Sequence, residues 1–200
     1  MKAWVVIFSL IVVGFIGWQL WFALLIGVKE PSYEVLQKKN GYEVRRYTPY
    51  ITAETRAAGT KEKAANEGFK VLADYIFGDN TQNIKMPMTA PVFVETTKDE
   101  NKKNVSFVMP FDYTIKTLPK PNNKEIKIKE KKGKVFAAYR FTWHPTEKRV
   151  AHKKELFAAL LERDGIKTLS PIMLARYNPP FIMPFLMRNE LLVEIKKPRK

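Results

Sequence analysis

The chain has 200 residues, 46% of them hydrophobic and 12% aromatic, enough for one well-buried domain once any membrane segment is set aside. Its formal net charge is +15 and it has no cysteine, which excludes disulfides, thiolate metal sites and thiol catalysis while leaving the redox compartment open. Lys2 is the only charged side chain in residues 1–28, so the basic excess belongs to the remainder and favours anionic partners without bearing on fold.

Taken in order, residues 3–28 carry only Ser9 and Gln19 as polar side chains. At 1.5 Å of rise per residue they make about 39 Å of helix, enough to cross a bilayer with tilt. The apolar run continues through Trp18, Trp21 and Phe22 without a small-x-small cleavage site, so an uncleaved single-pass anchor over residues 1–28 is expected, with one domain over residues 29–200. Lys2 and the amino terminus compete with Lys29, Lys38, Lys39, Arg45 and Arg46 for orientation. The domain is expected on the exported side, because long domains can translocate despite their charge.

After Glu30-Pro31 the pattern shortens to strands. Residues 33–37 and 42–47 flank Asn40-Gly41 and read as a hairpin, and residues 50–58 alternate well enough for a half-buried third strand. Thr60 is placed as the cap of a helix reaching about residue 77, with Ala65, Phe69, Leu72 and Ile76 on one apolar face and Gly78 as its stop. Gly68 inside that helix costs about 1 kcal/mol against alanine, which close packing would explain. Pro87 and Pro91 lack the N–H that a ladder needs, so residues 85–91 should enter a sheet at an edge or bulge before 92–94 pair. Further strands are expected at 105–109, 126–130 and 134–141. A second helix follows, capped by Thr146, from about 147 to 163 with Val150, Phe157, Leu160 and Leu161 inward, and closing strands at 172–177 and 190–195. Strands, helix and strands, twice over, describe an antiparallel α+β domain of two related halves, since parallel pairing would need helices as crossovers between most strands.

Several ordered motifs carry a family resemblance: Tyr42-Glu-Val-Arg-Arg-Tyr47, Gly68-Phe69, Met88-Thr-Ala-Pro-Val92, Val108-Met-Pro110, Tyr177-Asn-Pro-Pro180 and Arg188-Asn-Glu190. Over residues 31–196 the chain resembles the SOUL haem-binding proteins. The resemblance implies a distorted antiparallel barrel of eight strands flanked by two helices, akin to the effector-binding domains of some transcription regulators. It also implies reversible binding of haem or another tetrapyrrole in a hydrophobic cleft beside the first helix, by shape and apolar contact more than by a strong iron bond.

A tetrapyrrole needs a wide apolar wall and cationic groups near its propionates. Phe69, Leu72, Ala73 and Ile76 fall at or near the family's helical pocket positions, with plain core packing as the bland alternative for each. Asn66 stands where a well-described member of the family carries a basic residue, which leaves Lys63 and Lys70 as substitutes for a propionate partner. The only histidines are His144 and His152. One branch of the family places its proposed histidine where this chain has Arg46, which has no lone pair to offer, so His144 is the remaining axial candidate. Met86, Met88, Met109, Met173, Met183 and Met187 could offer thioether sulfur, but apolar filling is the ordinary use of methionine.

Lysines crowd residues 116–134, and alternation with Ile126 and Ile128 sets them on one strand face, read as solvated or as a surface for anionic lipid. No stacking aromatics accompany them, which argues against nucleic acid as a partner. There is no Gly-rich phosphate loop, no zinc-type His/Glu pair and no serine elbow. Glu43, Glu54 and Glu190 fit charged outer-face strand positions. The expected function is therefore a membrane-anchored, non-enzymatic haem or porphyrin binder. The alternative is a domain that keeps the fold without haem and presents a basic face to anionic lipid or to a protein.

Overall fold

The computed structural model describes residues 4–10, 13–14, 17–18, 28–58, 61–97, 99 and 102–197. Nine strands, β1 (Tyr33–Lys38), β2 (Glu43–Tyr47), β3 (Tyr50–Ala58), β4 (Val92–Thr96), β5 (Lys102–Val108), β6 (Lys127–Lys131), β7 (Val135–Phe141), β8 (Met173–Arg176) and β9 (Asn189–Glu194), form one sheet. Two helices, α1 (Lys61–Ile76) and α2 (Glu147–Arg163), separate β3 from β4 and β7 from β8. Every neighbouring pair is antiparallel, in the order β1-β2-β7-β9-β8-β4-β5-β3-β6. The sheet curls into a half-barrel, and its end strands β1 and β6 are not paired with each other.

Two related halves are visible in the strand order. The unit β3-α1-β4-β5 lays its strands in the order β4-β5-β3, and β7-α2-β8-β9 repeats this as β8-β9-β7. The halves join where β4 pairs β8, with Val92, Phe93 and Val94 opposite Arg176, Ala175 and Leu174. Each half then donates the strand before its own unit to the other: β2 pairs β7, and β6 pairs β3. Two sets of four account for the eight strands that the resemblance implied. The ninth is β1, added at the edge through the Asn40-Gly41 hairpin, where Gly41 takes φ +106° and a bulge falls between Val35 and Gln37.

Both helices cover the same face. Phe157 and Leu161 of α2 pack with Val44, Ala137, Leu191 and Val193, and Leu72, Tyr75 and Ile76 of α1 pack with Ala53, Val105 and Phe107. Leu174 lies opposite both Val94 and Leu191, which joins the two patches on one side. The other face gathers Tyr47, Tyr50, Phe93, Phe136, Ala175, Tyr177 and Leu192. Thr146 caps α2 as expected, accepting from the Arg149 amide, whereas Thr60 lies outside the described residues.

The buried stripe of α1 differs from the predicted one. Ala64, Gly68, Leu72, Tyr75 and Ile76 are inward, while Phe69 is 42% exposed and meets Phe107 edge-on with ring centres 5.1 Å apart. Gly68 explains the rotation: a Cβ there would stand 2.6 Å from Val105 Cγ2, so the helix rests its missing side chain on β5. Among the described residues no helix is long and apolar enough to cross a membrane. Within the predicted span, residues 4–10, 13–14 and 17–18 are helical, and the rest of 3–27 lies outside the described residues.

Candidate functional site

A largely apolar cleft of about 370 Å³ opens at the β4–β8 seam, beside α1. Its approach is shaped by the two prolines. Residues 83–88 lie outside any ladder, so the chain can drape Met88 and Ala90 along the cleft before Val92 begins β4. Thr89 is pinned by its hydroxyl, which donates to the Val108 carbonyl, and the Ala90 amide donates to the Lys29 carbonyl at 3.1 Å. That second bond carries Val28 to the cleft wall. From the other half come Arg176 at the end of β8, Tyr177, and the Asn178-Pro179-Pro180 turn. The turn is closed by Asn178 Oδ1, which accepts from the Arg188 amide at 2.6 Å.

Of the predicted pocket residues, Asn66 and Phe69 line this cleft from α1. Leu72 and Ile76 do not. They are 0% and 1% exposed in the core under α1, and Ala73 is partly buried against the same core. Lys63 and Lys70 are exposed and lie off the cleft; the cation on its wall is Arg176. No sequence pattern singled out Arg176, because it enters the cleft only through the β4–β8 pairing.

The axial candidate is not at the cleft. His144 is exposed at the turn before α2, its carbonyl accepting from the Thr146 amide and the Arg149 guanidinium. Arg46 pairs with Glu34 at 3.2 Å on the sheet edge. Met88 is the methionine on the cleft wall, whereas Met86, Met109 and Met187 are buried. Among the described residues no group of three or more His, Asp or Glu could hold a metal ion.

Behind Tyr177 lies a buried ionic network that sequence reasoning misplaced. Glu190, read as an outer-face position, is 0% exposed. Its Oε2 accepts from Arg45 Nη1 at 2.7 Å and from the Tyr177 hydroxyl at 2.9 Å, and its Oε1 accepts from Arg188 Nε at 3.0 Å. Each arginine has a second, outer carboxylate: Glu43 on Arg45 at 2.8 Å and Glu30 on Arg188 at 3.0 Å. Aromatic faces complete the desolvation, with the Arg45 guanidinium 4.4 Å from the Tyr33 ring centre and Arg188 3.8 Å from that of Tyr177. Burial alone would raise the Glu190 pKa, but the bond and charge of Arg45, the charge of Arg188 and the Tyr177 bond together hold it below the ordinary carboxylate value. Burial pushes the Tyr177 hydroxyl the other way, strongly upward, helped by Tyr47 and Glu190. Arg188 stays charged against the same burial because Glu190, Tyr177 and Glu30 stabilise its cation.

Glu54 is a second correction. It is 4% exposed on β3, and Lys129 and Lys131 of the lysine-rich strand β6 reach it at 2.7 and 2.6 Å. Two of the lysines read as a solvated face thus serve an internal carboxylate. Burial opposes the Glu54 charge, and the bonds from Lys129, Lys131 and Thr52 override it, leaving the pKa lowered. A signal that could have found Glu190 is its place beside Leu191-Leu192-Val193 in a strongly basic chain, where a carboxylate is worth burying only against cations.

The fold is shared with the C-terminal domain of EcmrR, at a TM-score of 0.58 and 11% identity over 82% of this chain and 98% of that one. It is also shared with a protein titled as a hydrolase from Listeria innocua, at a TM-score of 0.53 and 12% identity over 80% of this chain and 94% of that one. By sequence the chain is 26% identical over 179 residues to Heme-binding protein 1 of Xenopus laevis, covering 84% of this chain and 93% of the relative. The model of the SOUL heme-binding proteins matches residues 28–194, from the valine at the cleft mouth to the end of β9, and the chain belongs to that family.

Proposed function

We propose that this protein binds haem or a related tetrapyrrole reversibly, without catalysing a reaction, in the apolar cleft at the β4–β8 seam. The observation that carries the reading is the composition of the wall: Phe69, Met88, Val92 and Pro180 offer an apolar surface, Arg176 a single cation, and no histidine lines it. Such a wall desolvates a macrocycle beside one basic side chain, so affinity comes from ring contact and not from an axial imidazole. The family's own name and the Xenopus laevis relative support haem as the ligand class.

Metal-free protoporphyrin separates the two sources of affinity. In the full-length protein held in nonionic detergent micelles, it should bind within about fivefold of haem, followed by fluorescence quenching and by the Soret band respectively. Haem binding with no detectable protoporphyrin binding would make iron ligation the main term and overturn this reading. Absence of binding by both would favour the haem-free domain instead.

The reading extends to a single-pass membrane anchor over residues 1–28, with the domain on the exported side. Its support is the apolar run itself and the junction: Val28 lines the cleft and Lys29 bridges to Thr89, so the segment leaves the domain at the cleft mouth. An anchored protein should stay in the membrane pellet through high salt and alkaline washing, because apolar burial and not charge holds it. Recovery in the alkaline supernatant would refute the anchor.

A further inference from the structure

A second, polar cleft of about 390 Å³ lies beyond Glu190 from the apolar one. Tyr177 lines the first, Glu190 lines the second, and the hydrogen bond between them is the partition. The polar cleft is formed by strand register. Lys38 lies opposite Glu43 across β1 and β2, Glu43 opposite Ala138 across β2 and β7, and Arg140 opposite Glu190 across β7 and β9. Ala138, with a single methyl between long side chains, is the place where the hollow forms.

Its charge is unbalanced. Five cations, Lys38, Lys39, Arg45, Arg140 and Arg188, line it against two carboxylates, Glu43 and Glu190. Arg45 and Arg188 are held in place by both their carboxylates and fix the inner wall. Lys38, Lys39 and Arg140 are exposed and make no ion pair with a described residue, although the field of Lys39 reaches Asp164. Three cations converging on one concavity repel one another, and a multiply charged anion would relieve that repulsion while accepting from several donors at once.

We propose that this polar cleft is a binding site for a phosphoryl group, separate from the tetrapyrrole cleft. A monoanionic carboxylate would meet one guanidinium and leave two ammonium groups unmatched; a phosphate monoester or diphosphate has the charge and the acceptors for all three. Arg140 is the fork that contacts two oxygens, with Lys38 and Lys39 as point charges at the rim. The phosphoryl group could belong to a soluble metabolite or to a lipid headgroup.

Calorimetric titration of the full-length protein in nonionic detergent, with inorganic pyrophosphate in one arm and short-chain phosphatidic acid doped into the micelles in the other, tests the site and distinguishes the sources. One-site binding is expected in at least one arm. Arg140→Glu and Lys39→Glu should each weaken it at least tenfold, and Lys124→Glu, an exposed lysine off the cleft, should change it less than twofold. Haem titration should be unaltered in all three variants. If Arg140→Glu fails to fold, Lys39→Glu carries the comparison. No saturable binding in either arm, or equal weakening by Lys124→Glu, would overturn the assignment and reduce the cleft to a generally basic surface.

Discussion

If the cleft takes haem as proposed, Phe69→Asp is expected to lower haem affinity of the full-length protein in nonionic micelles by roughly 10- to 100-fold, the equivalent of losing one buried aromatic contact of about 1.5–3 kcal/mol. The size follows from where the ring sits. Phe69 is 42% exposed and meets Phe107 edge-on, so the fold depends on it less than on the buried residues of the same helix, while its ring forms part of the cleft wall. Aspartate replaces that wall with a charge that a macrocycle would have to desolvate. Phe77→Asp is the matched control. Phe77 is also exposed, at 55%, just after the same helix but off the cleft, and its substitution should leave affinity within about twofold. Asn66→Trp, filling the space beside Phe69 from the same helix, should weaken binding in the same direction as Phe69→Asp. His144→Ala should change nothing, since His144 is exposed at the turn before α2 and is not on the cleft wall. A Soret shift abolished by His144→Ala and intact in a folded Phe69→Asp protein would remove the cleft from consideration.

Much of this architecture is legible in the residues, and the failures have a common cause. All nine strands and both helices are announced by alternation, by Asn40-Gly41, by the Thr146 cap and by the prolines before β4, because these are local signals. The exchange of β2 and β6 between halves is not local, and neither is anything that depends on it. Arg176 reaches the cleft, and Glu190 is buried, through pairings between strands far apart in sequence. The misplaced face of α1 is the instructive intermediate case. Periodicity found the stripe, but Gly68 moved its centre by letting the helix approach Val105, and so put Phe69 at the rim, on the cleft wall, and not in the core. Leu72 and Ile76 obey the ordinary rule for an apolar helix stripe and pack inward.

Removing the Glu190 carboxylate should be the most damaging single change outside the apolar core. Glu190→Ala would leave Arg45, itself 4% exposed, and the partly buried Arg188 without their inner partner and Tyr177 without its acceptor. Breaking a buried pair by deleting one side costs about 3–5 kcal/mol, because the remaining charge stays desolvated. Glu43 and Glu30 persist on the outer side of the two arginines, which places the expected loss toward the lower end. Urea denaturation at pH 7 measures it. The pH dependence supplies an independent check, and its sign is definite. The folded Glu190 pKa lies below the ordinary value, so its contribution is complete above about pH 4.5, the unfolded range, and disappears as pH falls through the folded value. Glu54 is shifted the same way and contributes to the acid limb in both proteins, so the informative quantity is the difference between wild type and Glu190→Gln. That difference should be largest near neutral pH and shrink progressively below pH 4.5. On the alkaline side the raised Tyr177 pKa means that stability is present below its unfolded value of about 10 and lost as pH climbs beyond it. A wild type and a Glu190→Gln variant of equal stability at pH 7, with superimposable acid limbs, would show that the network between the two clefts contributes nothing to holding them in place.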